Sequence, residues 1–134
     1  MPAPDEFLDT NILIYAFTSD PRAVIAEQLL ARGCVTSVQG LNEFANVARR
    51  KLGMSWEEIR DALAAIRTLA KAILPVDLAA HSNALALAER YEFSFFDALM
   101  LASALQGGCV TFWSEDMQNG TVINGRLRIA NPFA

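Results

Sequence analysis

SFFDALMLASALQGGCVTFWSED, residues 94–116, is the stretch on which the architecture turns. Residues 95–106 are apolar almost all round, with charge confined to the first turn, the pattern of a helix enclosed on every side. Gly107 and Gly108 end that helix, and residues 109–113 follow as a short apolar block of strand length, soon met by an acid at Asp116. A buried helix feeding a buried strand is what a parallel sheet covered on both faces requires, because the crossover helices occupy the faces.

The same alternation extends outward in both directions. Residues 6–8 read as a short strand ending at Asp9, after which residues 10–16 turn into helix. Asp20 and Pro21 give a cap and first-turn proline for a helix closed by Gly33; residues 34–36 form a second strand, and Ser37 caps a helix reaching about Leu52, stopped by Gly53. Ser55 and Glu58 have capping-box spacing and start a helix expected to reach about Ala72. A strand over residues 72–76 follows, then Asp77 caps the helix of residues 78–91, and residues 119–133 carry turn signals around a last strand or hairpin. The expected class is α/β, three layers with a central, mostly parallel sheet, and the 134 residues form one domain.

Composition narrows the chemistry. The hydrophobic content of 53% is dispersed in short blocks, none near the ~20 residues of a membrane helix, and the N-terminus carries no basic, apolar leader, so a soluble cytoplasmic protein is expected. Cys34 and Cys109 open similar stretches, GCVTSV and GCVTFW, and without a CxxC or Cys/His cluster they read as buried free thiols. A net charge of -4 gives no general attraction to nucleic acid, so a polyanion would have to be met by a local basic patch, a bound metal, or both.

Four acids do not sit as surface acids do. In open parallel sheets ligands lie beyond the carboxyl ends of the strands, where Asp9 and Asp116 fall. Asp97 can equally be the capping-box partner of Ser94, and Asp9 alone would read as a helix cap. Glu43 lies nearly opposite the apolar stripe Val38, Leu41, Phe44, Ala45, Ala48 and Leu52, beside Asn46 and Arg50, and so reads singly as part of a solvated face. Jointly, three of the acids end at one sheet edge and Glu43 lies early in a helix leaving it. Carboxylates converging without histidine or thiolate repel one another unless a hard cation, Mg²⁺ or Mn²⁺, relieves them. Asp9 is on that argument a metal ligand.

The set LDTNIL, LNEFANV, SFFDALMLASAL and SEDMQNGTVINGRLRIANPF, in that order over residues 7–133, resembles the PIN domain, and specifically the VapC-like toxin ribonucleases of type II toxin–antitoxin modules. The resemblance implies that Asp9, Glu43, Asp97 and Asp116 form an acidic quartet binding one or two divalent ions, with Asp9, Asp97 and Asp116 nearest the metal. Ser114 takes the place of the hydroxyl residue beside the last acid, and Thr10 and Asn11 match the polar pair after the first. It further implies water attack on an RNA phosphodiester, leaving 5′-phosphate and 3′-hydroxyl ends, together with a cognate antitoxin and a homodimer. Glu92 stands where relatives commonly have glycine, and Trp113 where a smaller aliphatic residue is common. The competing readings are a catalytically silent binding subunit and a free-standing RNA-processing nuclease. A phosphorylated-Asp domain lacks its acidic pair, DxDxT pattern and lysine motif.

The remaining residues divide between two readings each. His81 is the single histidine, which excludes a two-histidine ribonuclease mechanism, and reads as a partly exposed helix residue. Arg49, Arg50 and Lys51 are either a solvated helix end favourable to the dipole or contacts to an RNA backbone. Phe95 and Phe96 read as core. Trp56, Ile59, Leu63 and Ile66 share a helix face that is either core or the surface of the expected dimer.

Overall fold

The chain runs β1 (Glu6–Leu8), α1 (Thr10–Tyr15), α2 (Ala23–Ala31), β2 (Val35–Ser37), α3 (Val38–Arg50), α4 (Trp56–Leu69), β3 (Ala72–Leu74), α5 (Leu78–Tyr91), α6 (Phe95–Gln106), β4 (Thr111–Trp113), β5 (Val122–Ile123) and β6 (Leu127–Ala130). The computed structural model describes residues 5–134; residues 1–4, where the search for a leader begins, lie outside them. One six-stranded sheet has the order β3-β2-β1-β4-β6-β5. β1 pairs in parallel with both β2 and β4, β2 with β3, and β4 with β6; among the described strands β5 alone is antiparallel. The chain leaves β1 toward β2 on one side and returns to β4 on the other. Strand order therefore reverses at β1, and the residue ending it, Asp9, sits where ligands of such sheets bind.

Period-two alternation assigns the two faces. Phe7, Val35 and Phe112 point to the layer containing α5 and α6, whereas Leu8, Cys34 and Trp113 point to the layer containing α1 to α4. Phe7 and Phe112 are register partners and stack at 4.9 Å with 7° between rings, both fully buried, each worth roughly 1.5–3 kcal/mol of hydrophobic burial. α6 has seven consecutive buried residues, Ala98 to Ser103 and Ala104, because α5, α3 and the sheet strand β2 all close on it. This accounts for a helix apolar almost all round.

Local chemistry sets the boundaries. Ser37, Ser55, Asp77 and Ser94 each cap the helix they precede, and the Ser55–Glu58 box is closed from both sides. α2 starts later than the Asp20-Pro21 pair suggests. Asp20 is spent on a turn, accepting from the Arg22 N–H at 2.8 Å, and the helix begins at Ala23. α4 stops at Leu69 because residues 72–74 pair with β2, and β4 begins at Thr111 rather than at Cys109. Residues 119–133 supply a hairpin, β5–β6, whose second strand docks on β4. Gly40 lets α3 sit close over β2: a Cβ there would stand 2.5 Å from Thr36 Oγ1. α5 ends on Glu92 with φ 61, a left-handed conformation that favours glycine.

Several surface expectations divide. Both cysteines are free and buried, their thiols pushed up to about 11 at Cys34 and about 12 at Cys109, chiefly by burial. Phe95 is partly buried, but Phe96 is 57% exposed and so is not core; His81 is exposed, its ring edge-on to Phe95. Ile59 and Ile66 are buried in this chain's own core and Leu63 partly so, leaving only Trp56 of that face exposed. Among the described residues no helix is long and apolar enough to cross a membrane.

Candidate active site

The turn from β1 into α1 builds the first corner. Asp9 caps α1 with Oδ1, which accepts from the Thr10 N–H at 2.7 Å, while its own N–H donates to the Trp113 carbonyl at 3.0 Å. Its Oδ2 accepts from the hydroxyl of Ser114, a fully buried residue, at 2.7 Å. With 5% exposure the carboxyl is pushed up to about 7, first by burial and then by the charges of Asp97 and Glu43, against the two hydrogen bonds that favour ionisation. Capping and site membership are thus combined in one side chain.

The loop after β4 is pinned to α1 at three successive residues. Ser114 bonds Asp9, Glu115 accepts from the Tyr15 hydroxyl at 2.6 Å, and Asp116 accepts from the Asn11 amide at 2.9 Å. Arg22 adds a clamp: one Nη reaches both Glu115 oxygens at 2.9 and 3.1 Å, the rest of the guanidinium grips Asp20, and its carbon lies 4.3 Å over the Tyr15 ring. Tyr15, Arg22 and Glu115 are absent from the sequence reading. Their contacts span 93 to 100 positions, so only the fold reveals them.

The other two acids approach from α3 and α6. Asp97 lies in the first turn of α6, where its N–H donates to Ser94 at 3.3 Å; the reciprocal half of a capping box, closed by Glu58 at Ser55, is not formed. Its carboxyl is raised by burial and by Asp116. Glu43 is half-buried rather than on a solvated face, because α1 and α6 cover the flank of α3 that carries it. Burial and then Asp97 raise its carboxyl, with Thr10 and Gln39 acting in the opposite direction.

All four acids, with Thr10, Asn11, Tyr15 and Lys51, line one cavity of about 340 Å³. Ser114 stands behind it. Lys51 therefore reaches the site, Arg50 lines an adjoining recess, and Arg49 is drawn away, donating to the Met54 carbonyl at 3.1 Å and lying 4.8 Å from the Trp56 ring. A larger cavity of about 440 Å³ between α5, α6 and the β5–β6 turn presents Arg90 and Arg126 but no carboxylate, so it offers no anionic metal ligands.

Among the described residues no group of three or more His, Cys, Asp and Glu side chains stands ready-arranged to hold an ion. The donor chemistry nevertheless fits one. Among the described residues two buried oxygens, Glu43 Oε2 and Asn11 Oδ1, have no hydrogen-bond donor, and both residues line the acid cavity. Oxygen acceptors left without donors beside three further carboxylates suit a hard cation or its water shell. The third buried unpartnered atom, Trp113 Nε1, is a donor and adds nothing to such a site.

Residues 7–118, which contain all four acids, match the PIN domain. The chain belongs to the PIN domain family. No curated protein matches the sequence. Among solved structures the PIN chain is similar to Mycobacterium tuberculosis VapC20, described as a Sarcin-Ricin loop cleaving toxin, at 23% identity and TM-score 0.63, over 81% of this chain and 87% of that one. It is similar to a chain of a toxin–antitoxin complex from Klebsiella pneumoniae at 20% identity and TM-score 0.72, covering 96% and 98%. A third similar chain comes from Rickettsia felis VapBC2 bound to a promoter DNA fragment, with 19% identity, TM-score 0.68 and coverage of 94% and 97%. At these identities the likeness concerns the fold.

Proposed function

We propose that this PIN domain is a metal-dependent endoribonuclease hydrolysing RNA phosphodiester bonds, and the toxin of a toxin–antitoxin pair. The observation that carries the reading is the convergence on one cavity of four acids from four separate segments, Asp9 and Asp116 held by Ser114 and Asn11 and Glu43 with a buried oxygen that no described residue bonds. Asp9, Asp97 and Asp116 would hold Mg²⁺ or Mn²⁺, as one ion or two, with Glu43 completing the set or holding a water. Such an ion supplies charge neutralisation at the phosphoryl oxygens and a lowered pKa for water. Ser114 keeps Asp9 oriented, and Asn11 does the same for Asp116. Thr10 donates its backbone N–H to the Asp9 carboxylate.

The partner half of the proposal rests on charge. A cavity lined by four carboxylates on a chain of net charge -4 suits an arginine or lysine inserted by a small antitoxin, which would pair with the acids and exclude the metal. A second copy of this chain is the other partner proposed. The apolar face of α4 is not its surface, since Ile59 and Ile66 are internal.

Cleavage tests the reading directly. Purified protein should cut RNA with Mg²⁺ or Mn²⁺ and stop in EDTA, and Asp97→Asn should abolish cutting while the protein stays folded. Equally fast cutting in chelator would refute the mechanism. A folded wild type that binds RNA but never cuts it with either metal would favour the silent binding subunit.

A further inference from the structure

We propose that the exposed flank of α3 beyond Glu43 is the track along which an RNA strand runs out of the acid cavity, with Lys51 and Arg50 binding the phosphates that flank the cleaved one; this rests on the ribonuclease reading above. The acid cavity and the adjoining recess of about 160 Å³ share two walls, Val47 and Lys51, and the recess is completed by Asn46 and Arg50. Glu43, Val47 and Arg50 stand at intervals of four and seven along α3 and so form one stripe, which Lys51, the C-cap of the helix, continues at its end. At 1.5 Å per residue the two cations lie roughly 10–12 Å along the helix axis from Glu43, so they stand beyond a phosphate held at the acids rather than on it.

The cations on this stripe are also free to act. Arg22, Arg32 and Lys71 each form an ion pair; among the described residues Arg50 and Lys51 form none, and they are the cations that line the acid cavity or its adjoining recess. Arg49, their neighbour in sequence, is turned about 100° from Arg50 and is committed to Met54 and Trp56. On a chain of net charge -4 this is the local positive surface that a polyanion entering an acidic cavity requires. Cations at the end of a helix also stabilise it through the dipole, but that role changes stability and leaves the salt dependence of RNA binding untouched.

The experiment is a salt titration of binding, read by anisotropy of a labelled, unstructured single-stranded RNA in EDTA, so that nothing is cut. Arg50→Gln and Lys51→Gln should each flatten the slope of log affinity against log salt by about 0.7, and the double variant by about 1.4. With Mg²⁺ each should raise KM several-fold, more than it lowers kcat. Arg49→Gln should leave slope and KM alone and lower Tm instead. If wild type cuts RNA and the Arg50 and Lys51 slopes match it, the track is wrong and the nuclease reading stands. A wild type that neither binds nor cuts RNA removes both.

Discussion

Asp9→Asn should stabilise the metal-free protein while destroying its activity, and the gain should depend on pH. The carboxyl ordinarily titrates at 3.8 and in the fold at about 7. Below 3.8 it is protonated in folded and unfolded chains alike and has no effect. Between 3.8 and about 7 the unfolded chain releases a proton that the folded one keeps, so stability falls as pH rises, and above about 7 the loss is constant. At 1.36 kcal/mol per pH unit the full loss is about 4 kcal/mol. Asn keeps the bond from the Thr10 N–H but turns an N–H₂ toward Ser114, whose hydroxyl must then accept, at a cost of about 1 kcal/mol at every pH. That cost cancels when two pH values are compared. The advantage of Asp9→Asn over wild type should therefore grow by about 3 kcal/mol between pH 5 and pH 8. Urea denaturation in EDTA at the two pH values measures it. An advantage that is equal at both, or a variant less stable than wild type at pH 8, would refute the burial argument. Adding Mn²⁺ at about 100 times its Kd should return about 2.7 kcal/mol to wild type alone.

Two further outcomes follow from single contacts. Tyr15→Phe removes the 2.6 Å bond to Glu115 but keeps the ring under Arg22, so activity should fall roughly tenfold through kcat, with KM and Tm little changed, because the loop carrying Asp116 loses one of its three ties to α1 and its cap; the Tyr15 hydroxyl, raised to about 12, should keep this contact throughout the neutral range. Glu92→Gly relieves a left-handed residue at the end of α5 and should raise stability by about 0.5–1 kcal/mol in denaturant, whereas no gain would mean that the αL strain is compensated locally.

The order of elements, the helix caps and the placement of Asp9 and Asp116 beyond strand ends are written locally, in spacings of two to four residues, and for that reason they can be read from the chain without its fold. The helix of residues 95–106, apolar almost all round and buried from Ala98 to Ala104, and the apolar strands likewise fix a sheet covered on both faces, since no other layering hides them. Three matters depend on packing between distant segments. Helical periodicity locates the side of α3 facing the core, Phe44 and Ala48, but not which flank a neighbour covers; α1 and α6 cover the flank with Glu43 and turn an apparent surface acid into a half-buried one. The run Arg49-Arg50-Lys51 is uniform as sequence, and only the positions of Met54 and Trp56 on one side and the acid cavity on the other separate its members. The clamp joins Glu115 to Tyr15 and Arg22, 100 and 93 positions earlier, brought together because β1 and β4 are neighbours in the sheet. Periodicity records what a segment does with its own neighbours in sequence; which side chains meet across the sheet edge is decided by strand order, which no single segment encodes.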